Sequence, residues 1–195
     1  EKTKLALELG VSMVIELPTI FTCSSAEHFA YASVKLLDSL NVVTHLCFGA
    51  ETDDITNLEL VAKVLHKEDK EYKSLLKDEL EKGISYPKAR NNAILRYFKK
   101  SMSDEKANSI LNGSNNILGI EYIKALLKIK SKIKPYLIKR IGPGENTNEI
   151  IDITTEESKT KKFNYNTYIT INTCNTGYSA QENKRVMRCG ENWEW

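Results

Sequence analysis

Val42-Val43-Thr44-His45-Leu46-Cys47-Phe48-Gly49 is a short, mostly apolar run that ends in glycine. A stretch this uniform has no polar face to give to water, so it reads as a strand buried on both sides of a parallel sheet. On its N-terminal side, Phe29, Ala30, Ser33, Leu36, Leu37 and Leu40 recur at helical spacing behind Ser24 and Glu27, a capping-box pair. Further upstream, Val11-Ser-Met-Val-Ile-Glu-Leu-Pro18 is a second apolar run, stopped by proline and preceded by a helix that halts at Gly10. Downstream, Thr56 and Glu59 repeat the capping-box signal and open a helix through about His66. Strand, helix, strand, helix at this spacing predicts right-handed crossovers and a parallel α/β sheet.

The middle of the chain is helical and charged. Glu68 to Lys82 reads as one helix ended by Gly83, and Tyr86 to Lys100 as another, with Pro87 tolerated in its first turn. Ser114-Asn-Asn-Ile-Leu-Gly119 leads into a further helix whose buried stripe is Ile120, Ile123 and Leu127. Residues 133–141 suit a sheet strand near an edge, because Pro135 cannot donate to a ladder on both sides. After Gly142-Pro-Gly144 the composition turns to Asn and Thr, and helical periodicity is lost. The expected organisation is an α/β domain over 1–142 and an irregular, mostly solvent-exposed tail over 143–195, with a possible hairpin near Phe163 to Thr173. Glu1 opens the chain inside an amphipathic pattern, so an N-terminal segment is expected upstream of it.

With 195 residues, 41% hydrophobic and 28% charged, the composition is that of an ordinary globular protein. A net charge of +2 neither demands nor excludes a polyanionic partner. The four cysteines are scattered without metal-ligand spacing; Cys23 and Cys47 sit in apolar surroundings and read as buried thiols of a reducing compartment. No apolar run approaches the roughly 18 residues of a membrane span, and the cytoplasm is the expected location.

In open parallel sheets, ligands bind beyond the carboxyl ends of the strands. Two such ends are Glu16-Leu17-Pro18 and Phe48-Gly49-Ala50-Glu51. Gly49 lacks a Cβ, which either lets a nucleotide lie against the backbone or relieves a tight turn. Glu16 is a strand-end carboxylate or a site residue. Glu51, Asp53 and Asp54 make an acidic loop that reads more simply as a solvated capping turn than as a metal site. His28, His45 and His66 share no spacing suited to a metal or a relay. Ser114-Asn115-Asn116 is a helix N-cap or a place where amides meet an anion or a purine edge. Lys124, Lys128, Lys130, Lys132, Lys134, Lys139 and Arg140 form the longest basic stretch, a solvated face or a track for RNA phosphates.

Five separated blocks carry a resemblance. They are Lys2-Thr-Lys-Leu-Ala-Leu with Gly10-Val11 and Val14-Ile-Glu-Leu-Pro18; Phe48-Gly-Ala-Glu51 with Asp54-Ile55; Lys82-Gly-Ile-Ser-Tyr-Pro87; Asn115-Asn-Ile-Leu-Gly119; and Lys134-Pro135 with Lys139-Arg-Ile141. In order and spacing the chain resembles the bacterial tRNA(Met) cytidine acetate ligases of the nucleotidyltransferase-like superfamily. The resemblance implies a Rossmann-like domain with a helical insertion. It implies an enzyme that activates acetate with ATP as acetyl-adenylate and transfers the acetyl group to the wobble cytidine of elongator tRNA(Met). ATP, with magnesium, acetate and tRNA are the implied partners. By matching motifs, Gly49, Asn115 and Arg140 fall where such proteins contact ATP. Gly49 would allow close backbone approach, Asn115 would donate to the nucleotide, and Arg140 would meet phosphate or stack on the base. The resemblance places the first strand and the histidine-containing phosphate loop, Asn-Pro-x-His-x-Gly-His, ahead of Glu1, so these residues, with the first strand missing, are expected to be an incomplete copy that is inactive alone. Non-catalytic nucleotide or RNA binding, and another adenylyltransferase chemistry, are the alternative readings.

Overall fold

The computed structural model describes residues 2–8, 10–99, 101–139 and 168–170. A three-stranded parallel sheet lies at its centre in the order β2-β1-β3, with β1 at His45–Ala50, β2 at Lys134–Lys139 and β3 at Tyr168–Thr170. The register runs from His45 opposite Lys134 to Ala50 opposite Lys139 on one side of β1. On the other, His45 to Cys47 pair with Tyr168 to Thr170. β2 is an edge strand, as Pro135 requires. The three residues of β3 run parallel to β1 and join this part of the tail to the sheet, while the remainder of the hairpin expected near Phe163 to Thr173 lies outside the described residues. The rest of 143–195 lies outside the described residues.

Eight helices accompany the strands among the described residues: α1 Lys2–Glu8, α2 Thr19–Thr22, α3 Ala26–Ser39, α4 Ile55–Lys67, α5 Lys70–Leu80, α6 Tyr86–Phe98, α7 Asp104–Asn112 and α8 Ser114–Ile129. α8 packs against α3, α4 and β1 and is the spine of the core, which gathers Ala30, Val34, Leu46, Phe48, Leu58, Val61, Ile120 and Ile123. α5 and α6 pack on each other as an insertion, joined to α8 through α7. Gly10 at φ +96° and Gly83 at φ +74° adopt the left-handed backbone that stops α1 and the turn after α5.

The helix starts differ from the sequence expectation in an instructive way. α3 is capped by Ser25, one residue later than expected, and Glu27 reaches across to Lys124 at 2.9 Å instead of back to its own cap. α4 is capped by Asp54, whose carboxylate accepts from the backbone of Thr56 and Asn57, while Glu59 pairs with Lys63. An ionised cap and a long-range lysine both give stronger, charge-assisted bonds than a reciprocal Ser/Thr–Glu box. Likewise Asp69 caps α5 at Tyr72, and Glu68 takes the left-handed end of α4, dividing the helix expected over 68–82 from its predecessor. α7 was not foreseen from the sequence.

The run Val11–Pro18 is not a strand. It is irregular and largely exposed, with Met13, Val14 and Ile15 all facing solvent. A strand exists only through a neighbour's hydrogen bonds, and in the described sheet, β2-β1-β3, this run pairs with no strand. Glu16 consequently sits on an exposed segment and not at a strand end. The same exposure corrects the reading of Cys23: it is exposed at the end of the short α2, whereas Cys47, inside β1, is buried. Cys174 and Cys189 lie outside the described residues.

Candidate functional site

β1 delivers the site. Phe48 and Ala50 are buried, while Gly49 between them is exposed, so a backbone without a side chain faces outward near the carboxyl end of the strand. Gly49 is thus part of the strand and not of a turn. Beneath it the Phe48 ring packs on Tyr122 at 5.6 Å and on Gly119, where an added Cβ would lie 2.6 Å from the ring. Gly119 is what allows α8 to lie so close to β1.

The loop after β1 is held by the start of α8. Asn116, fully buried, accepts through Oδ1 from the backbone N–H groups of Glu51 (2.9 Å) and Thr52 (3.1 Å). Glu51 returns the contact: its Oε2 accepts from the Asn116 backbone at 2.8 Å. Its Oε1 accepts from both the Asn115 backbone (3.2 Å) and the Asn115 side-chain amide (2.8 Å). Two orphan N–H groups of the first turn of α8 are thereby satisfied by a carboxylate at the positive end of the helix. Partial burial disfavours charge on Glu51, but the bonds from Asn115 and Asn116 outweigh it and hold its carboxyl below the usual glutamate range. A Cβ on Gly113 would collide with that carboxylate.

The other two acids of the loop are also engaged. Asp53 pairs with Lys139 at the end of β2 (3.0 Å), and that bond is the main reason its carboxyl titrates low. Asp54 caps α4 and meets Lys106 of α7 at 3.1 Å. The acidic loop therefore ties β1 to β2, α7 and α8, with each carboxylate facing a different partner. Among the described residues no group of three or more His, Cys, Asp or Glu could hold a metal ion.

The structure brings Gly49 and Asn115 to the same end of the sheet. Arg140 follows directly on Lys139 but lies outside the described residues. Several members of the basic stretch are engaged with protein partners. Lys124 is bound to Glu27 (2.9 Å) and to buried Glu121 (3.2 Å), and Lys128 lies over the Tyr31 ring at 4.9 Å. His28 meets Ser25 at 2.9 Å beside the start of α3, His45 is in β1 and His66 is exposed in the last turn of α4. Sequence reasoning missed the Glu51–Asn115–Asn116 clamp. Its partners are 64 and 65 residues apart, and only the juxtaposition of an acid after a strand with paired amides at a helix start hinted at it.

Residues 1–166 match the family model described as HIGH Nucleotidyl Transferase. The chain belongs to that family. The match runs past the last block read from the sequence, which ended at Ile141. Within the family, the chain is 47% identical over 149 residues to the tRNA(Met) cytidine acetate ligase of Clostridium novyi, covering 76% of this chain and 36% of the relative. It is 50% identical over 148 residues to that of Clostridium acetobutylicum, covering 74% and 37%. The chain thus spans little more than a third of the length of these relatives. Among solved structures, it resembles Thermotoga maritima TmcAL bound with alpha-thio ATP at 44% identity and a TM-score of 0.67, over 71% of this chain and 34% of that one. The apo form gives 41% identity and a TM-score of 0.72, over 78% and 36%. The helical α/β architecture with a parallel sheet is that of this nucleotidyl transferase family. No described helix is long and apolar enough to cross a membrane.

Proposed function

We propose that this chain is the nucleotide-binding part of a tRNA(Met) cytidine acetate ligase. The observation that carries the reading is the convergence of exposed Gly49 and the clamped Asn115 at the carboxyl end of β1, beside the end of β2 that leads into Arg140. This is where open parallel sheets bind nucleotides. The likeness to a protein solved with alpha-thio ATP supports nucleotide binding. In this reading Gly49 lets the nucleotide approach the backbone, Asn115 contacts it through its amide, and Arg140 meets phosphate or stacks on the base.

The chemistry proposed for the whole ligase has two steps. An acetate oxygen attacks the α-phosphorus of ATP and pyrophosphate leaves, giving acetyl-adenylate. The exocyclic amine of the wobble cytidine then attacks the acetyl carbon, loses a proton and expels AMP. The anhydride is needed because free acetate is unreactive toward an amine. The protein's part is to position the reactants and stabilise developing charge. Magnesium would accompany ATP and supply charge neutralisation for the departing pyrophosphate, while Glu51, Asp53 and Asp54 are engaged with protein partners. We place the body of the binding domain at 1–142, with Tyr168–Thr170 adding β3 to its sheet, and the protein in the cytoplasm, where its tRNA would be.

Calorimetry of ATP against this chain and an Arg140→Ala variant tests the reading. Binding that weakens in the variant is expected. Absence of binding in both would overturn the reading for these 195 residues, and equal binding would remove Arg140 from the site.

A further inference from the structure

Glu51 does more than cap α8. An ionised carboxylate can only accept hydrogen bonds, so it dictates which end of a neighbouring amide faces it. Here Oε1 of Glu51 takes a hydrogen from Asn115 Nδ2 at 2.8 Å and another from the Asn115 backbone. The carboxylate is itself immobilised, because its second oxygen holds the Asn116 backbone at 2.8 Å and Asn116 in turn holds the Glu51 backbone. Rotating the Asn115 amide by half a turn would press Oδ1 against that carboxylate and forfeit a charge-assisted bond. The amide of Asn115 therefore has one polarity. Its Oδ1 takes no partner among the described residues and Asn115 is partly exposed, leaving one acceptor and one remaining N–H for a ligand.

We infer that Glu51 sets the purine specificity of this site by locking Asn115 so that its amide matches a 6-aminopurine and not a 6-oxopurine. The inference rests on the nucleotide-binding reading above. An amide offering an acceptor beside a donor complements adenine, whose N6 amine donates and whose N7 accepts. Guanine presents O6 where adenine presents N6, so Oδ1 of Asn115 would face another acceptor. Relief by amide rotation is denied by Glu51. Asn115 is the contacting residue and Glu51 a positioning residue that acts through it.

Two measurements test the inference separately from the parent reading. The first needs no nucleotide: the side-chain amide proton and nitrogen signals of Asn115 are followed by NMR from pH 7 downward. They are expected to shift as Glu51 protonates, at a pH below that of an ordinary glutamate, and to stay flat in Glu51→Gln. Signals that do not respond to Glu51 in the wild-type chain would overturn the inference whatever binds. The second compares affinities for ATP, GTP and 7-deaza-ATP by calorimetry. The wild type is expected to favour ATP over GTP by roughly tenfold to hundredfold, as a bidentate amide–adenine pair does, and to lose several-fold affinity when N7 is replaced by carbon. In Glu51→Gln, whose amide can face Asn115 either way, the preference for ATP falls at least fivefold. Asn115→Ala leaves the Glu51–Asn116 backbone clamp in place, so it keeps the fold and loses the preference and the N7 dependence together. ATP binding with an unchanged ATP-to-GTP ratio in both variants would overturn the inference alone. No nucleotide binding to the wild type would overturn it together with the parent reading.

Discussion

Glu51 and Asn116 hold each other by reciprocal bonds: the Glu51 backbone N–H donates to the Asn116 side chain at 2.9 Å, and the Asn116 backbone N–H donates to the Glu51 side chain at 2.8 Å. Each residue thus caps the chain segment of the other, fixing the end of β1 against the start of α8. The geometry is that of a capping box built across the fold instead of along a helix.

Asn116→Ala removes the acceptor for two backbone N–H groups at once, those of Glu51 and Thr52, and the donor to the Ser109 carbonyl. Part-buried donors left without partners cost about 1–3 kcal/mol. The expected outcome is a lowered urea midpoint with an unchanged m-value, together with weaker nucleotide binding because the Glu51 backbone, whose side chain holds Asn115, loses its own anchor.

Gly119→Ala pits two effects against each other. Alanine favours the helix by about 1 kcal/mol, but its Cβ would lie 2.6 Å from the ring of Phe48, which is buried against Tyr122. Overpacking a ring that has nowhere to move costs about 1–3 kcal/mol. Net destabilisation is expected, and Phe48→Leu in the same chain should restore part of it. A Gly119→Ala protein more stable than the wild type would contradict the close contact.

Buried Glu79 accepts from Lys82 (2.6 Å), Asn92 (3.0 Å) and Arg96 (2.9 Å). These bonds, Lys82 first, bring its carboxyl down to about 2 from an ordinary 4.5. A lowered folded pKa means the stabilisation is complete above pH 4.5 and is lost as pH falls toward 2. Urea midpoints at pH 7 and pH 3 should therefore differ less in Glu79→Gln than in the wild type. The α5–α6 pair is where the loss should appear first, as faster amide exchange in acid.

Cys23 and Cys47 should separate cleanly in thiol labelling. With Cys174 and Cys189 replaced by serine, one equivalent is expected to react promptly in native buffer, at exposed Cys23, and the second only on unfolding. Prompt reaction of Cys47 would mean that β1 opens to solvent.

Much was legible locally. The apolar run ending at Gly49, the helix stops at Gly10 and Gly83, and the edge placement forced by Pro135 depend on periodicity and backbone chemistry within a few residues. Cap identity was less legible, because Ser24, Thr56 and Glu59 had competitors in Ser25, Asp54 and Lys63 that only geometry could rank.

The sequence by itself indicated the class of fold, because the buried run ending at Gly49 and the edge strand around Pro135 are separated by amphipathic helices, although Val11–Pro18, the first strand of the expected alternation, did not form. It also named Gly49 and Asn115 as residues to watch. Only the tertiary structure decided that Val11–Pro18 stays out of the described sheet, because a strand needs a partner's hydrogen bonds and a local apolar run does not report whether a partner lies alongside. Only the tertiary structure showed Glu51 binding Asn115 and Asn116. A hydrogen bond requires approach within about 3 Å, and no pattern along the chain reports which residues 64 positions apart will meet that condition.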